Sequence, residues 1–364
     1  MVNDRTPLLP QVQQSGASSR ISTVFNGKRI LLVVCVSIGI LGLWICSPRS
    51  MANTTTSSKP TIAANRENLS FLVVGDWGRE GLYNQTLVAQ QMGKIGGELG
   101  TQFVVSTGDN FYNSGLSNVS DPTFTYSFTD VYTASSLQTT WYAVLGNHDY
   151  KGNVLAQLSD DIVTRDWRWF CRRSFQLNFT MCNGSSAGSC NATLDMFFFD
   201  TTPFIDEYWT PEKISKFNWT GLAPREEQLQ LQLDELREGL NTSSATWKIV
   251  VGHHTIRSVG NHGDYAELVE KLLPILEEFK VNAYINGHDH NLQHILRQDS
   301  TVNFFTSGGG SKSYAGLQAY TEEQGVRFAR DGQGFLAVTV DSDSMSFSFY
   351  DVFGDELYSF VLGK

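Results

Sequence analysis

Five short stretches of this 364-residue chain set oxygen or imidazole donors just past an apolar run. Gly75-Asp76-Trp77-Gly78 follows Phe71–Val74, and Gly108-Asp109-Asn110-Phe111-Tyr112 follows Phe103–Ser106. Gly146-Asn147-His148-Asp149 follows Trp141–Leu145, Gly252-His253-His254 follows Trp247–Val251, and Gly287-His288-Asp289-His290 follows Ala283–Ile285. Glycine relieves the backbone where each turn leaves its run. Asp76 and Asp109 bring carboxylates, Tyr112 a phenol, Asn147 an amide, and His253, His288 and His290 imidazoles. Hard oxygen donors mixed with imidazoles suit iron, manganese or zinc rather than calcium. The supply exceeds one ion's needs and matches two. A carboxylate between two cations can bridge them, and cations about 3.5–4 Å apart can generate hydroxide and clamp an in-line displacement at phosphorus. Singly, Asp76 reads as a turn residue, His253 as a structural histidine and Tyr112 as packing. The information lies in their conjunction.

The five apolar runs must form neighbouring strands if the turns are to meet. Open α/β sheets place ligands at such strand ends. Asn303–Thr306 and Met196–Phe199 read as two further strands. Amphipathic helices are expected between them. In Tyr83–Leu99 the residues Leu87, Val88, Met92, Ile95 and Leu99 share a face. In Arg225–Leu240 the stripe is Leu229, Leu233, Leu236 and Leu240, with Pro224 suited to the first turn. In Tyr265–Phe279 it is Leu268, Leu272, Leu273, Leu276 and Phe279, with a kink expected at Pro274. Phe335–Val340, Ser344–Tyr350 and Leu357–Leu362 alternate like an antiparallel meander. With no internal repeat and no linker, residues 69–362 read as one α/β domain.

The formal charge is −10, and beyond residue 50 there are 36 acids against 22 bases. That balance argues against a nucleic-acid binder, which needs a basic face. Ile30–Cys46 carries no charge over 17 residues and follows Lys28 and Arg29. It reads as a short transmembrane signal-anchor with residues 1–29 cytosolic and the body lumenal or extracellular, a type II single-pass arrangement. The alternative is a cleaved signal peptide and a secreted body. Residues 47–67, rich in Ser, Thr and Asn, read as a stalk. Nine Asn-x-Ser/Thr sequons, at Asn53, Asn68, Asn84, Asn118, Asn178, Asn183, Asn191, Asn218 and Asn241, suit a glycosylated body. Cys182 and Cys190 flank a flexible loop and are expected to pair, leaving Cys171, although spacing alone leaves the connectivity open. Asp4-Arg5-Thr6-Pro7-Leu8-Leu9 resembles an acidic dileucine sorting signal for endosomes and lysosomes; an ordinary polar tail is the alternative.

The turns GDWG, GDNFY, GNHD, VVGHH and GHDH, in this order, resemble those of the calcineurin-like metallophosphoesterases. Tyr112, three residues after Asp109, narrows the resemblance to the small purple, or tartrate-resistant, acid phosphatases, over nearly all of residues 69–362. The resemblance implies a four-layer α/β/β/α sandwich of two mixed sheets and a monomeric catalytic domain. It implies Asp76, Tyr112 and His290 on a ferric ion, Asp109 bridging, and Asn147, His253 and His288 on a second metal, Fe(II), Zn(II) or Mn(II). It also implies hydrolysis of phosphate monoesters, and of anhydrides as a second substrate type, by metal-bound hydroxide, with phenolate-to-iron charge transfer giving the colour. His148 would contact the phosphate and protonate the leaving alkoxide. His262 occupies the place of an outer histidine, its alternative being an exposed loop residue. His254 stands where relatives carry an aromatic residue, and the spacing from Val250 favours His253 as the ligand. Asp149 and Asp289 are expected to orient the site. The rival readings are a sphingomyelinase-like diesterase and a catalytically dead, membrane-anchored binding protein on the same fold.

Overall fold

A computed structural model describes residues 61–62, 68–182 and 192–364. The expected anchor at residues 30–46 and Cys190 lie outside the described residues. Among the described residues no helix is long and apolar enough to cross a membrane.

The strands in chain order are β1 (Thr61–Ile62), β2 (Leu69–Val74), β3 (Phe103–Ser106), β4 (Thr140–Ala143), β5 (Trp169–Cys171), β6 (Ser174–Met181), β7 (Ala192–Phe199) and β8 (Trp247–Val251). There follow β9 (Ala283–Asn286), β10 (Asn291–Ile295), β11 (Asn303–Ser307), β12 (Val326–Asp331), β13 (Gly334–Val340), β14 (Ser344–Asp351) and β15 (Glu356–Gly363). One sheet runs β15-β14-β13-β2-β3-β4-β5, and the other β1-β6-β7-β8-β9-β11-β10-β12. Both are mixed. Neighbours β2, β3 and β4 are parallel, as are β8 and β9. Parallel pairing puts the first three turns side by side at one sheet's edge and the last two at the other's.

Period-two alternation decides which core each side chain joins. Phe71, Val73, Phe103 and Val105 point between the sheets and meet Met196, Phe198, Ile249, Val251 and Ile285. Leu72, Val74 and Val104 point the other way, onto Val88, Met92 and Ile95 of the helix Gln85–Leu99. On the far side of the second sheet, Phe197, Val250 and Tyr284 pack with Leu229, Leu236 and Leu240 of the helix Arg225–Thr242 and with Leu268 and Leu276. Three apolar interfaces make four layers, as the resemblance implied.

Local differences from the sequence reading have local causes. The first helix starts at Gln85 because Tyr83 and Asn84 take positive φ (53° and 67°). Leu87 and Leu99, read as part of its buried face, are exposed, and Ala89 and Gly96 fill that stripe instead. The helix read as kinked at Pro274 divides into Ala266–Lys271 and Leu273–Glu278. Within the segment read as a stalk, Thr61–Ile62 pairs in parallel with β6. Of the sequons, Asn68, Asn84, Asn118 and Asn241 are exposed. Asn178 is half-buried in β6, and its amide nitrogen donates to Asp195 (2.6 Å). Cys171 is a buried free thiol, and Cys182 is disulfide-bonded.

One buried polar residue away from the turns makes folding sensitive to acid. His294 on β10 stacks on Phe305 (4.2 Å between ring centroids) and bonds Asn303 (3.0 Å) and the Tyr358 hydroxyl (2.9 Å). Burial pushes its pKa down to about 4, with Arg327 adding a smaller downward push against the Asn303 bond. The unfolded chain therefore binds a proton below about pH 6.5 that the folded chain resists until about pH 4. Stability falls as pH drops through that window, by about 3 kcal/mol at most from this group. His294→Gln protein is expected to lose less melting temperature than wild type between pH 7 and pH 4.5, as scanning calorimetry would read.

Candidate metal centre

The turns share a backbone device. Asp76, Asp109 and His288 have φ of 61°, 51° and 69°, and each directly follows a glycine. Left-handed backbone costs a non-glycine residue energy, so surrounding contacts must hold it. Those contacts run between turns. The Gly75 amide donates to Ser307 (2.8 Å), the Asp76 amide to Gly108 (3.0 Å), and the His288 amide to Asp76 Oδ2 (3.0 Å). The His148 amide donates to Asp109 Oδ1 (2.7 Å). A Cβ on Gly287 would overlap the Asp76 carboxylate, and one on Gly146 would overlap Asp109. The glycines let the turns approach until their donors face one another.

Two donor groups result. The Tyr112 hydroxyl lies 3.0 Å from Asp76 Oδ1, 2.9 Å from Asp109 Oδ2 and 3.0 Å from His290 Nε2. His253 Nε2 lies 3.2 Å from Asn147 Oδ1, 3.2 Å from His288 Nδ1 and 3.5 Å from Asp109 Oδ1. Asp109 touches both groups, one oxygen to each. All seven residues expected as ligands therefore converge.

Each imidazole has its inward nitrogen set by a bond on the outward one. His253 Nδ1 is 2.8 Å from the Thr107 carbonyl, and His290 Nδ1 is 2.5 Å from the Lys312 carbonyl. A carbonyl only accepts, so both Nδ1 atoms carry protons and both Nε2 atoms offer lone pairs inward. His288 is the reverse: Nε2 meets the Tyr265 hydroxyl (2.6 Å), and Nδ1 faces in. His254 also lies near His253 and His288. Its two nitrogens are taken, however, by Thr201 (2.8 Å) and Tyr208 (2.9 Å). It buttresses the site, consistent with the choice of His253. Tyr265, Thr201, Tyr208 and the Lys312 carbonyl were not legible as site residues, because each acts through a fold contact rather than a motif. Tyr265→Phe protein is expected to bind Zn(II) about 10–100-fold more weakly at the His253–His288 group, measured by competition with a chromogenic chelator.

Electrostatics favour occupancy by cations. Burial and the nearby Asp109 charge raise the Asp76 pKa well above the carboxylate range. Burial and the two carboxylates raise that of Tyr112 as well. Burial opposes ionisation of Asp109 too, but the imidazoles of His253 and His148 outweigh it and hold its pKa below the ordinary value. Burial and the neighbouring His254 and His262 keep His288 neutral. Adjacent acids that resist ionisation together, and neutral imidazoles with aimed lone pairs, form a donor set suited to two metal ions.

Around this centre lie the remaining expected residues. His148 Nδ1 is held by the Asn113 carbonyl (2.6 Å), its ring is 4.5 Å from that of Tyr112, and Nε2 is 4.0 Å from Asp109 Oδ2. His262 is exposed and its ring lies 4.1 Å from that of His288. Asp149 is buried and accepts from the amides of Asn110 (3.1 Å), Phe111 (3.2 Å) and Gly146 (2.9 Å), clipping the second turn to the third. Asp289 accepts from the His262 amide (2.9 Å) and Ser258 (2.5 Å), fixing that loop beside the fifth turn. Beneath, Trp77 donates to Ser106 (2.8 Å) and packs on Phe111, Tyr132, Trp141 and Trp169.

The Calcineurin-like phosphoesterase family matches residues 69–292. The chain is 49% identical over 297 residues to Purple acid phosphatase 4 of Arabidopsis thaliana, covering 82% of this chain and 84% of that protein. It is 35% identical over 262 residues to Tartrate-resistant acid phosphatase type 5 of Oryctolagus cuniculus, covering 67% and 73%. Among solved structures, that of GAP50, the anchor in the inner membrane complex of Plasmodium, matches with a TM-score of 0.67 at 23% identity, covering 82% and 89%, and so shares the fold. With two donor groups joined through Asp109 and relatives of this kind, the chain belongs to the calcineurin-like phosphoesterases, among the purple acid phosphatases, and is an acid phosphatase with a binuclear metal centre.

Proposed function

We propose that the chain hydrolyses phosphate monoesters, and anhydrides as a second substrate type, with Asp76, Tyr112 and His290 holding Fe(III), Asn147, His253 and His288 holding Fe(II), Zn(II) or Mn(II), and Asp109 bridging. The observation that carries this is the Tyr112 hydroxyl, within 3.0 Å of Asp76, Asp109 and His290 at once. A phenolate is a hard anionic donor, so this group suits a trivalent ion, whereas the amide and two imidazoles of the other group suit a divalent one. Cations held there would supply Lewis-acid charge at phosphorus and a nucleophile drawn from water at acidic pH.

The chain's residues do the rest. His148, with Nδ1–H held by the Asn113 carbonyl, presents Nε2 beside Asp109, and in its imidazolium form at acidic pH it delivers the Nε2 proton to the leaving oxygen. His262, beside His288, contacts the phosphate from the opposite rim. The glycine-lined turns fix the donors before substrate arrives, so little reorganisation remains at the moment of reaction. The charge-free run Ile30–Cys46 after Lys28 and Arg29 supports a membrane-anchored, glycosylated protein whose catalytic domain faces the lumen of an endosome or lysosome, or the exterior. The test is metal analysis with a visible absorption spectrum on purified protein. Two metals per chain with at least one iron, and a purple band, are expected. A colourless protein with two zinc ions would favour the diesterase alternative.

A further inference from the structure

Beyond residue 50 the chain is strongly acidic, yet cations gather on the side of the centre where His148 stands. The Arg79 guanidinium lies 3.6 Å over the Tyr112 ring, and its Nη1 is 3.2 Å from Asn113 Oδ1. Asn113 also holds His148 through its carbonyl (2.6 Å). Lys151 Nζ lies 3.2 Å from His148 Nε2. Lys312 Nζ shares the Tyr83 ring with Arg79, each 5.6 Å from its centroid. None of the ion pairs among the described residues involves Arg79, Lys151 or Lys312. Arg79 and Lys151 are both half-buried. Arg79 feels the Asp76 charge and Lys151 that of Asp109 only from beyond ion-pair contact, and a half-buried cation with no carboxylate in contact sits at a cost unless an anion completes it.

Their placement fits one part of a substrate. On the hydrolase reading above, the group being transferred would lie over the metal donors and the departing oxygen at His148. Whatever that oxygen belongs to extends into the arc from Arg79 through Asn113 to Lys151. A neutral alcohol would leave both cations unused. A phosphate there meets a planar guanidinium fork and an ammonium, the two groups that bind phosphate oxygens best.

We propose that Arg79 and Lys151 form a leaving-group subsite that selects substrates whose departing group is itself a phosphate. This rests on the hydrolase reading above and adds the residues that set its preference. For inorganic pyrophosphate, oxygen from water bonds to one phosphorus as the bond from that phosphorus to the bridging oxygen breaks. The bridging oxygen leaves with the electron pair and takes the Nε2 proton of the His148 imidazolium, the attacking water gives up one proton to solvent from which His148 is reprotonated, and two orthophosphates result.

The test compares kcat/KM for pyrophosphate and for p-nitrophenyl phosphate in wild type, Arg79→Gln, Arg79→Lys and Arg79→Gln/Lys151→Gln. The pyrophosphate-to-nitrophenyl ratio should fall about tenfold in Arg79→Gln and further in the double variant, chiefly through KM, and recover partly in Arg79→Lys. A ratio unchanged within twofold in the double variant overturns the proposal, as does a fall confined to kcat. If wild type turns over neither substrate, the hydrolase reading fails, and the subsite is read by calorimetry. Binding of methylenediphosphonate over methylphosphonate by tenfold or more, lost in the double variant, then supports it; equal binding overturns it.

Discussion

Asp109→Asn protein turns over p-nitrophenyl phosphate about 10³-fold more slowly than wild type and stays folded, with the melting temperature of chelator-treated wild type. The size follows from what the carboxylate does. Asp109 sends one oxygen toward Tyr112 and the other toward His253 and the His148 amide. Removing its charge takes away the shared anion of both donor groups, and several kcal/mol of transition-state stabilisation depend on cations being held there. Asparagine is the informative replacement because it keeps the side chain's shape and tolerates the φ of 51° that Asp109 adopts. Alanine would confound lost charge with backbone strain. Wild-type turnover in Asp109→Asn would remove Asp109 from the bridge.

Tyr112→Phe protein is expected to be colourless and to hold iron at least about 10–100-fold more weakly, with its fold retained. The hydroxyl is the only atom lost, and it is the atom closest to Asp76, Asp109 and His290. The ring keeps its stack against the Arg79 guanidinium and its contact with His148, so packing changes little. Absorption spectroscopy with iron titration reads both effects. A variant that kept the purple band would place the phenolate elsewhere and break the assignment of the Asp76 group to Fe(III).

What the sequence carried and what it withheld divide along a physical line. The five turns were legible because metal-binding side chains are few in type and glycine marks a tight approach. Their strands were legible because buried parallel strands read as continuous apolar runs. Strand β10, Asn291–Ile295, was not, because Gln293 and His294 are buried polar residues satisfied by partners distant in sequence, Ser258, Val259 and Tyr358. The outward face of the first helix was misjudged at Leu87 because helical spacing fixes a stripe but not its edges. In the site, the residues at the turns were readable, Asp149 and Asp289 among them, and the supports outside the turns were not. Nothing in the sequence marks Tyr265 as the partner of His288, or Thr201 and Tyr208 as the pair that removes His254 from contention. Asp149 and Asp289 were expected to orient the site, and they do so by gripping loop amides rather than imidazoles.

The turns belong to two different sheets. Asp76, Asp109 and Asn147 follow strands β2, β3 and β4, whereas His253 and His288 follow β8 and β9. The apolar layer between the sheets holds them at the distance the donors require. Ions that bind across this seam bind only the packed arrangement, so mass action makes each of them a fastener of the tertiary structure. Chelation should then lower the melting temperature along with activity, and damage to the inter-sheet core far from any turn should surface first as weakened metal retention. For this protein, metal supply would then set how long a molecule survives as well as how fast it works.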